Sequence, residues 1–127
     1  MNARLPLMLL LAVVILAACR TVPTDIPEEL TLGELIQLAQ ESVDAENPNA
    51  ALAYYQAILD RFPDDRAAVA TARYEIGFIH FRRNDFEQAR IEFGTLLAMY
   101  DTEAGSIPEW PRVLANTLLA EISDSGR

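Results

Sequence analysis

The chain holds one cysteine, Cys19, and one histidine, His80. A thiol and an imidazole make a nucleophile and its base only when they meet, and these two lie in stretches of opposite character. Cys19 closes a run of twelve apolar residues, Leu7 to Ala18, whereas His80 falls on the packing face of a helical stretch and reads as a core histidine. No second His or Cys completes a metal site. The Ser and Thr residues have no base at a recognisable spacing, the acidic residues single out no pair, and the five glycines form no phosphate-binding loop. The chain is therefore read as a non-enzyme without metal or cofactor. Two features are left that could do work. The Cys19 thiol offers covalent attachment. Tyr74, Phe78 and Phe81, spaced i, i+4 and i+7 with Arg82 adjacent, offer apolar anchors and a cation on one helix.

The residues before Cys19 are Leu16-Ala17-Ala18, following the apolar run and a single Arg4. Twelve apolar residues suit a signal sequence and fall short of the roughly 20 needed to span a bilayer. Leu-Ala-Ala-Cys resembles the lipobox of bacterial lipoproteins. The resemblance implies a signal peptide over residues 1–18, cleavage after Ala18 and diacylglyceryl attachment to Cys19. One acyl chain anchors only marginally, so the two or three chains implied by the family hold firmly. Arg20 stands where the family's retention signal has Asp, which implies lipid anchoring at the periplasmic face of the outer membrane. Residues 19–31, with two prolines and few large apolar side chains, read as the lipidated N-terminus and a tether.

Without its first 18 residues the chain has 109, enough for one domain. The net charge of −9 excludes nucleic acid as a natural partner, because that binding rests on neutralising phosphates. It equally disfavours a basic patch on anionic lipid, so membrane contact is expected through the lipid anchor. All ten basic residues are Arg, and Arg61, Arg66, Arg73, Arg82, Arg83 and Arg90 fall within 30 positions. They read as solvated helix faces with local Asp or Glu partners, or else as a patch for an acidic partner.

From Thr31 onward only helices are expected. Thr31 and Glu34 fit a capping box, and Leu32, Leu35, Ile36, Leu38 and Ala39 follow at helical spacing. Asn47-Pro48 is a cap followed by proline at the first helical position. Asp65 can cap a third helix to about Arg83, and Asn84 with Glu87 signals a fourth, to Tyr100. A last helix over about 111–123 should turn Val113, Leu114, Leu118, Leu119 and Ile122 inward, with Trp110 closing the core.

Ala51, Tyr55 and Ile58 recur 38 residues later as Ala89, Phe93 and Leu96, and Leu38-Ala39 recurs as Ile76-Gly77. Small residues there let two antiparallel helices approach, and the aromatic fills the space beyond. This pattern resembles the tetratricopeptide repeat, over residues 32–65 and 66–101, with Ala39 where Gly is usual and His80 where Tyr is usual. The implied fold is all-α: a short solenoid of two helical hairpins plus a capping helix within 32–127. The four surplus residues of the period lie between Pro63 and Gly77, which predicts a third helix starting one turn early.

In such arrays the first helix of each repeat lines a concave face. The resemblance thus implies a partner-binding groove of Tyr74, Phe78, Phe81 and Arg82 with Ile36, Gln40 and Val43 opposite, unless the aromatics only pack the core. The expected function is a membrane-anchored periplasmic, non-catalytic scaffold for an envelope protein or peptide. The alternatives are a subunit of an outer-membrane assembly or division-coordinating complex and, last, a small cell-wall enzyme. Two and a half units are fewer than the usual three, so an end that Trp110 does not close would become a docking surface for self-association or a partner protein.

Overall fold

Four of the helices begin where a side chain replaces a missing backbone acceptor. The computed structural model describes residues 21–103 and 105–125. It is all-α, with helices α1 (Leu32–Asp44), α2 (Pro48–Arg61), α3 (Arg66–Arg82), α4 (Phe86–Thr102) and α5 (Glu109–Ser125). The proposed signal peptide and Cys19 lie outside the described residues.

Thr31 and Glu34 form a complete capping box on α1. The Thr31 amide donates to Glu34 Oε2 at 2.8 Å, and the Glu34 amide to Thr31 Oγ1 at 3.3 Å. The Thr31 hydroxyl also donates to Glu34 Oε2, at 2.7 Å, and this bond first, then the one from the Thr31 amide, favours the ionised carboxylate and lowers its pKa. Asn47, Asp65 and Asp85 cap α2, α3 and α4 by accepting from the amides of Ala50, Ala68 and Gln88. The α4 cap is thus Asp85, and the predicted cap residue Asn84 takes a left-handed conformation instead, with φ 60°. The chain must reverse there, and asparagine tolerates that region better than most residues. Glu46, 38 positions earlier, has φ 54° in the corresponding turn.

α1 and α2 form one antiparallel hairpin, α3 and α4 a second, and α5 packs on α4 and α3. α3 has 17 residues against 13 for α1. The surplus lies at its N-terminal side, so the extra turn falls where the 38-residue period places it. Ala39, Ala51 and Ala89 are fully buried, and a Cβ on Gly77 would stand 2.6 Å from the Phe93 ring. The helices meet at those small residues.

α3 divides its surface between two cores. Ala68, Ala72, Ile76 and Ile79 join Leu35, Ala39, Tyr55 and Ile58 of the first hairpin. Val69, Ala70 and Tyr74 join Phe93, Leu96, Tyr100 and, from α5, Ala115 and Ile122. Arg73 pairs with Glu92 at 2.9 Å, Arg66 pairs with Glu103, and Arg83 donates to Asn49 Oδ1 at 2.5 Å. These three arginines find acceptors across the bundle, 19 to 37 residues away in sequence.

Two segments differ from expectation. Helix α5 starts at Glu109, with Pro111 accommodated in its first turn where no amide is needed. That register buries Pro111, Ala115 and Ile122 and turns Val113 and Leu114 outward. Trp110 covers Tyr74 edge-on at 5.2 Å while its own ring stays partly exposed. The second difference is the predicted tether: Ile26 and Leu30 pack on the first core, so residues 21–30 are a strap laid on the fold.

Candidate functional site: a groove between α1 and α3

Because α2 connects them, α1 and α3 run in the same direction on one side of the molecule, and a furrow separates them. Toward their C-terminal ends it widens to about 530 Å³, lined by Val43, Asp44, Glu46, Pro48, Glu75, Phe78, Ile79, Arg82 and Arg83. Toward their N-terminal ends lies a hollow of about 260 Å³, where Leu32 and Ile36 of α1 face Ala68, Thr71 and Ala72 of α3 over Tyr55 and Ile58.

The residues predicted to line a groove divide between this furrow and the second core. Val43, Phe78 and Arg82 come together in the wide part. Ile36 lines the hollow, and Gln40 is exposed. Tyr74 is only 8% exposed and packs against Phe93 at 6.1 Å. Phe81 is half-buried and leans on Phe86 at 5.8 Å. The i, i+4, i+7 stripe of Tyr74, Phe78 and Phe81 therefore faces the α3–α4 seam as much as the furrow. Its three rings stack in file along α3, at 6.0 and 6.5 Å, with Phe78 at the seam's edge.

The stripe that faces α1 is Thr71, Glu75, Phe78 and Arg82, at i, i+4, i+7 and i+11. It is rotated by about 60° from the aromatic stripe, and Phe78 belongs to both. Sequence reasoning missed Glu75, Ile79 and Arg83. The 38-residue offset gave no signal for them, because it maps Ile36, Gln40 and Val43 onto Tyr74, Phe78 and Phe81, the stripe that the aromatic spacing also selects.

Glu75 gives the furrow its chemistry. Its carboxyl is half-buried and takes no ion pair among the described residues. Burial pushes its pKa up. The Tyr55 and Tyr74 hydroxyls are also pushed up, first by their own burial and then by the Glu75 charge. One helical turn beyond Phe78, the Arg82 guanidinium lies over the Phe78 ring, 5.9 Å from its centroid. The wide part thus offers an apolar floor with the Glu75 carboxyl on α3 and, toward the helix C-terminal ends, the guanidinium groups of Arg82 and Arg83 together with the carboxylates of Asp44 and Glu46.

His80 lies off this face, its Nδ1 3.1 Å from Asp85 Oδ2 and its side chain 20% exposed. It is a hydrogen-bonded partner of the α4 cap at the edge of the core. Among the described residues no group of three or more His, Cys, Asp or Glu is placed to hold a metal. None of the described helices is long and apolar enough to cross a membrane.

No family model and no solved structure matches the chain. It is similar to an uncharacterized protein of Treponema pallidum (strain Nichols), 38% identical over 112 residues, which is 87% of this chain and 44% of that protein. The chain spans less than half the length of that relative.

Proposed function

We propose that this protein is a lipid-anchored scaffold of the bacterial cell envelope, built from two tetratricopeptide-like hairpins and acting by binding a protein or peptide without catalysis. One observation carries the reading: the furrow between α1 and α3, where Glu75, Phe78 and Arg82 face Val43 and Pro48 across about 530 Å³. A groove with an apolar floor and charges of both signs suits an amphipathic segment, held by spaced apolar anchors and oriented by its own charges. The anchor rests on Leu16-Ala17-Ala18-Cys19 after the apolar run, and Arg20 favours the periplasmic face of the outer membrane.

Phe78→Ala tests the groove. Its ring is half-buried, so stability should fall by less than the ~3–5 kcal/mol of a fully buried Phe. Capture of an envelope protein from solubilised membranes should fall much further. Full loss of stability with unchanged capture by the remaining folded fraction would sink the groove. Cys19→Ala tests the anchor: the variant should take up no labelled fatty acid and leave the membrane fraction.

A further inference from the structure

The strap fixes which end of the molecule lies nearest its N-terminal attachment. The Asn47 side chain donates to the Thr21 carbonyl at 3.0 Å, at the N-terminal end of α2. Arg61, in the last turn of α2, donates to the carbonyls of Ile26 and Pro27, both at 2.6 Å. The six α-carbon steps from Thr21 to Pro27 cover at most about 20 Å when extended. That equals the length of α2, whose 14 residues rise about 21 Å. The strap runs along α2 with a bend at Thr24, with Thr21 at one end of the bundle and α1 beginning at the other.

Cys19 stands only two residues before Thr21 in the sequence, and two peptide units reach at most about 7 Å from α-carbon to α-carbon. The α1–α2 turn containing Glu46 and the α3–α4 turn containing Asn84 lie at this end, with α3 tied to α2 by Arg83 and Asn49. The Pro63–Asp65 turn and the loop after α4 lie at the other, about one helix length away.

We infer that the strap docks the domain end-on to the bilayer, with the Glu46 and Asn84 turns facing the lipid headgroups and the wide part of the furrow opening beside them. This rests on the reading of Cys19 as the lipid anchor. The facing turns carry Asp44, Glu46, Asp85 and Glu87 against Arg82 and Arg83. They hold no basic excess to attract anionic lipid, so the orientation comes from the short attachment and not from charge. It should accordingly survive salt that screens surface charges.

The test couples the mature chain, residues 19–127, through its single thiol, Cys19, to a maleimide lipid in phosphatidylcholine nanodiscs doped with a gadolinium-chelating lipid. Amide broadening is then read residue by residue. Broadening at Glu46, Asn47, Asn84 and Asp85 should exceed that at Asp64, Asp65, Gly105 and Ser106 at least threefold. About ten Gly and Ser residues inserted between Arg20 and Thr21, a flexible spacer of roughly 17 Å, should erase the contrast without touching the fold. So should Asn47→Asp combined with Arg61→Ala, which keeps the α2 cap oxygen but removes the strap's donors. Even broadening of both ends in the parent chain would overturn the inference, as would a contrast that survives the insertion. Chemical coupling makes this outcome independent of acylation in cells: failed fatty-acid labelling strikes the anchor, whereas an even profile strikes the orientation.

Discussion

The second hairpin brings its helices together over Gly77, whose missing side chain is replaced by the Phe93 ring. The first has Ala39 at the corresponding place, in a core with Tyr55. Around Phe93 the second core is aromatic, with Tyr74 and Tyr100 buried and Phe78, Phe81 and Phe86 packed at its edge. Around Tyr55 the buried first core is otherwise aliphatic, with Leu35, Ile58, Ile76 and Ile79, and Tyr54 and Phe62 pack at its edge. The two are also closed differently. Helix α5 covers the second, whereas the first is completed by Ile26 and Leu30 of the strap. One repeat pattern thus accepts two packings, and each end of so short an array is covered by what the chain has to hand. The aromatic hairpin should be the more sensitive to changes of shape.

Phe93→Ala should produce the largest loss. The ring is fully buried and would leave a cavity beside a glycine that cannot fill it, costing about 3–5 kcal/mol. Chemical denaturation measures this directly. A cost below about 1 kcal/mol would show that the second core collapses readily, and the contrast between the hairpins would fail.

Exchanging the small residues sharpens the comparison. Gly77→Ala places a methyl 2.6 Å from a ring with no exposed surface into which to move. It should cost about 1–3 kcal/mol by overpacking, although alanine is the better helix former. Ala39→Gly removes a methyl and loosens a helix, which costs about 1 kcal/mol. Thermal melts of the pair separate the two causes. If Gly77→Ala melts at or above the parent temperature, the close approach at Phe93 is not what sets the crossing.

What could be read from sequence followed from local rules. Capping residues, proline at the start of α2 and the recurrence of Ala51 and Tyr55 as Ala89 and Phe93 each act within one or two turns, so the helices and the two hairpins were legible. The groove was only half legible. Phe78 belongs to both the aromatic stripe and the face toward α1, but Tyr74 and Phe81 are drawn to Phe93 and Phe86 across the seam. Helix α3 is apolar on two sides, and spacing within such a helix does not say which neighbour each side meets. The strap was illegible for a different reason. Its prolines and polar residues suit a linker, and it is held by Asn47 and Arg61 at separations of 26 and 34 to 35 residues, beyond any local pattern.

The turns offer a finer comparison. Glu46 and Asn84 hold corresponding left-handed positions, but a glutamate has no short polar side chain to ease that conformation. Glu46→Gly should therefore stabilise the fold by up to about 1 kcal/mol, and Asn84→Gly by only a few tenths. Equal shifts in denaturation midpoint would mean that the turns are not under unequal strain.

The smallest effect concerns Glu75, the half-buried carboxylate that α3 contributes to the furrow. Its pKa is raised by burial, so across the window from the ordinary glutamate value up to the raised one the folded chain binds more protons than the unfolded chain. Stability therefore falls as pH rises through that window. Above it the cost is constant, and below the ordinary value it vanishes. Glu75→Gln should remove the cost, raising the melting temperature slightly at neutral pH and giving no gain at a pH below the usual carboxylate range. The carboxyl is partly exposed and screened by water, which keeps the effect small. Melting curves of both chains across that range decide it. A gain that persists unchanged in acid would assign the benefit to packing of the amide, and Glu75 would lose its place as the charged feature that a bound segment must answer.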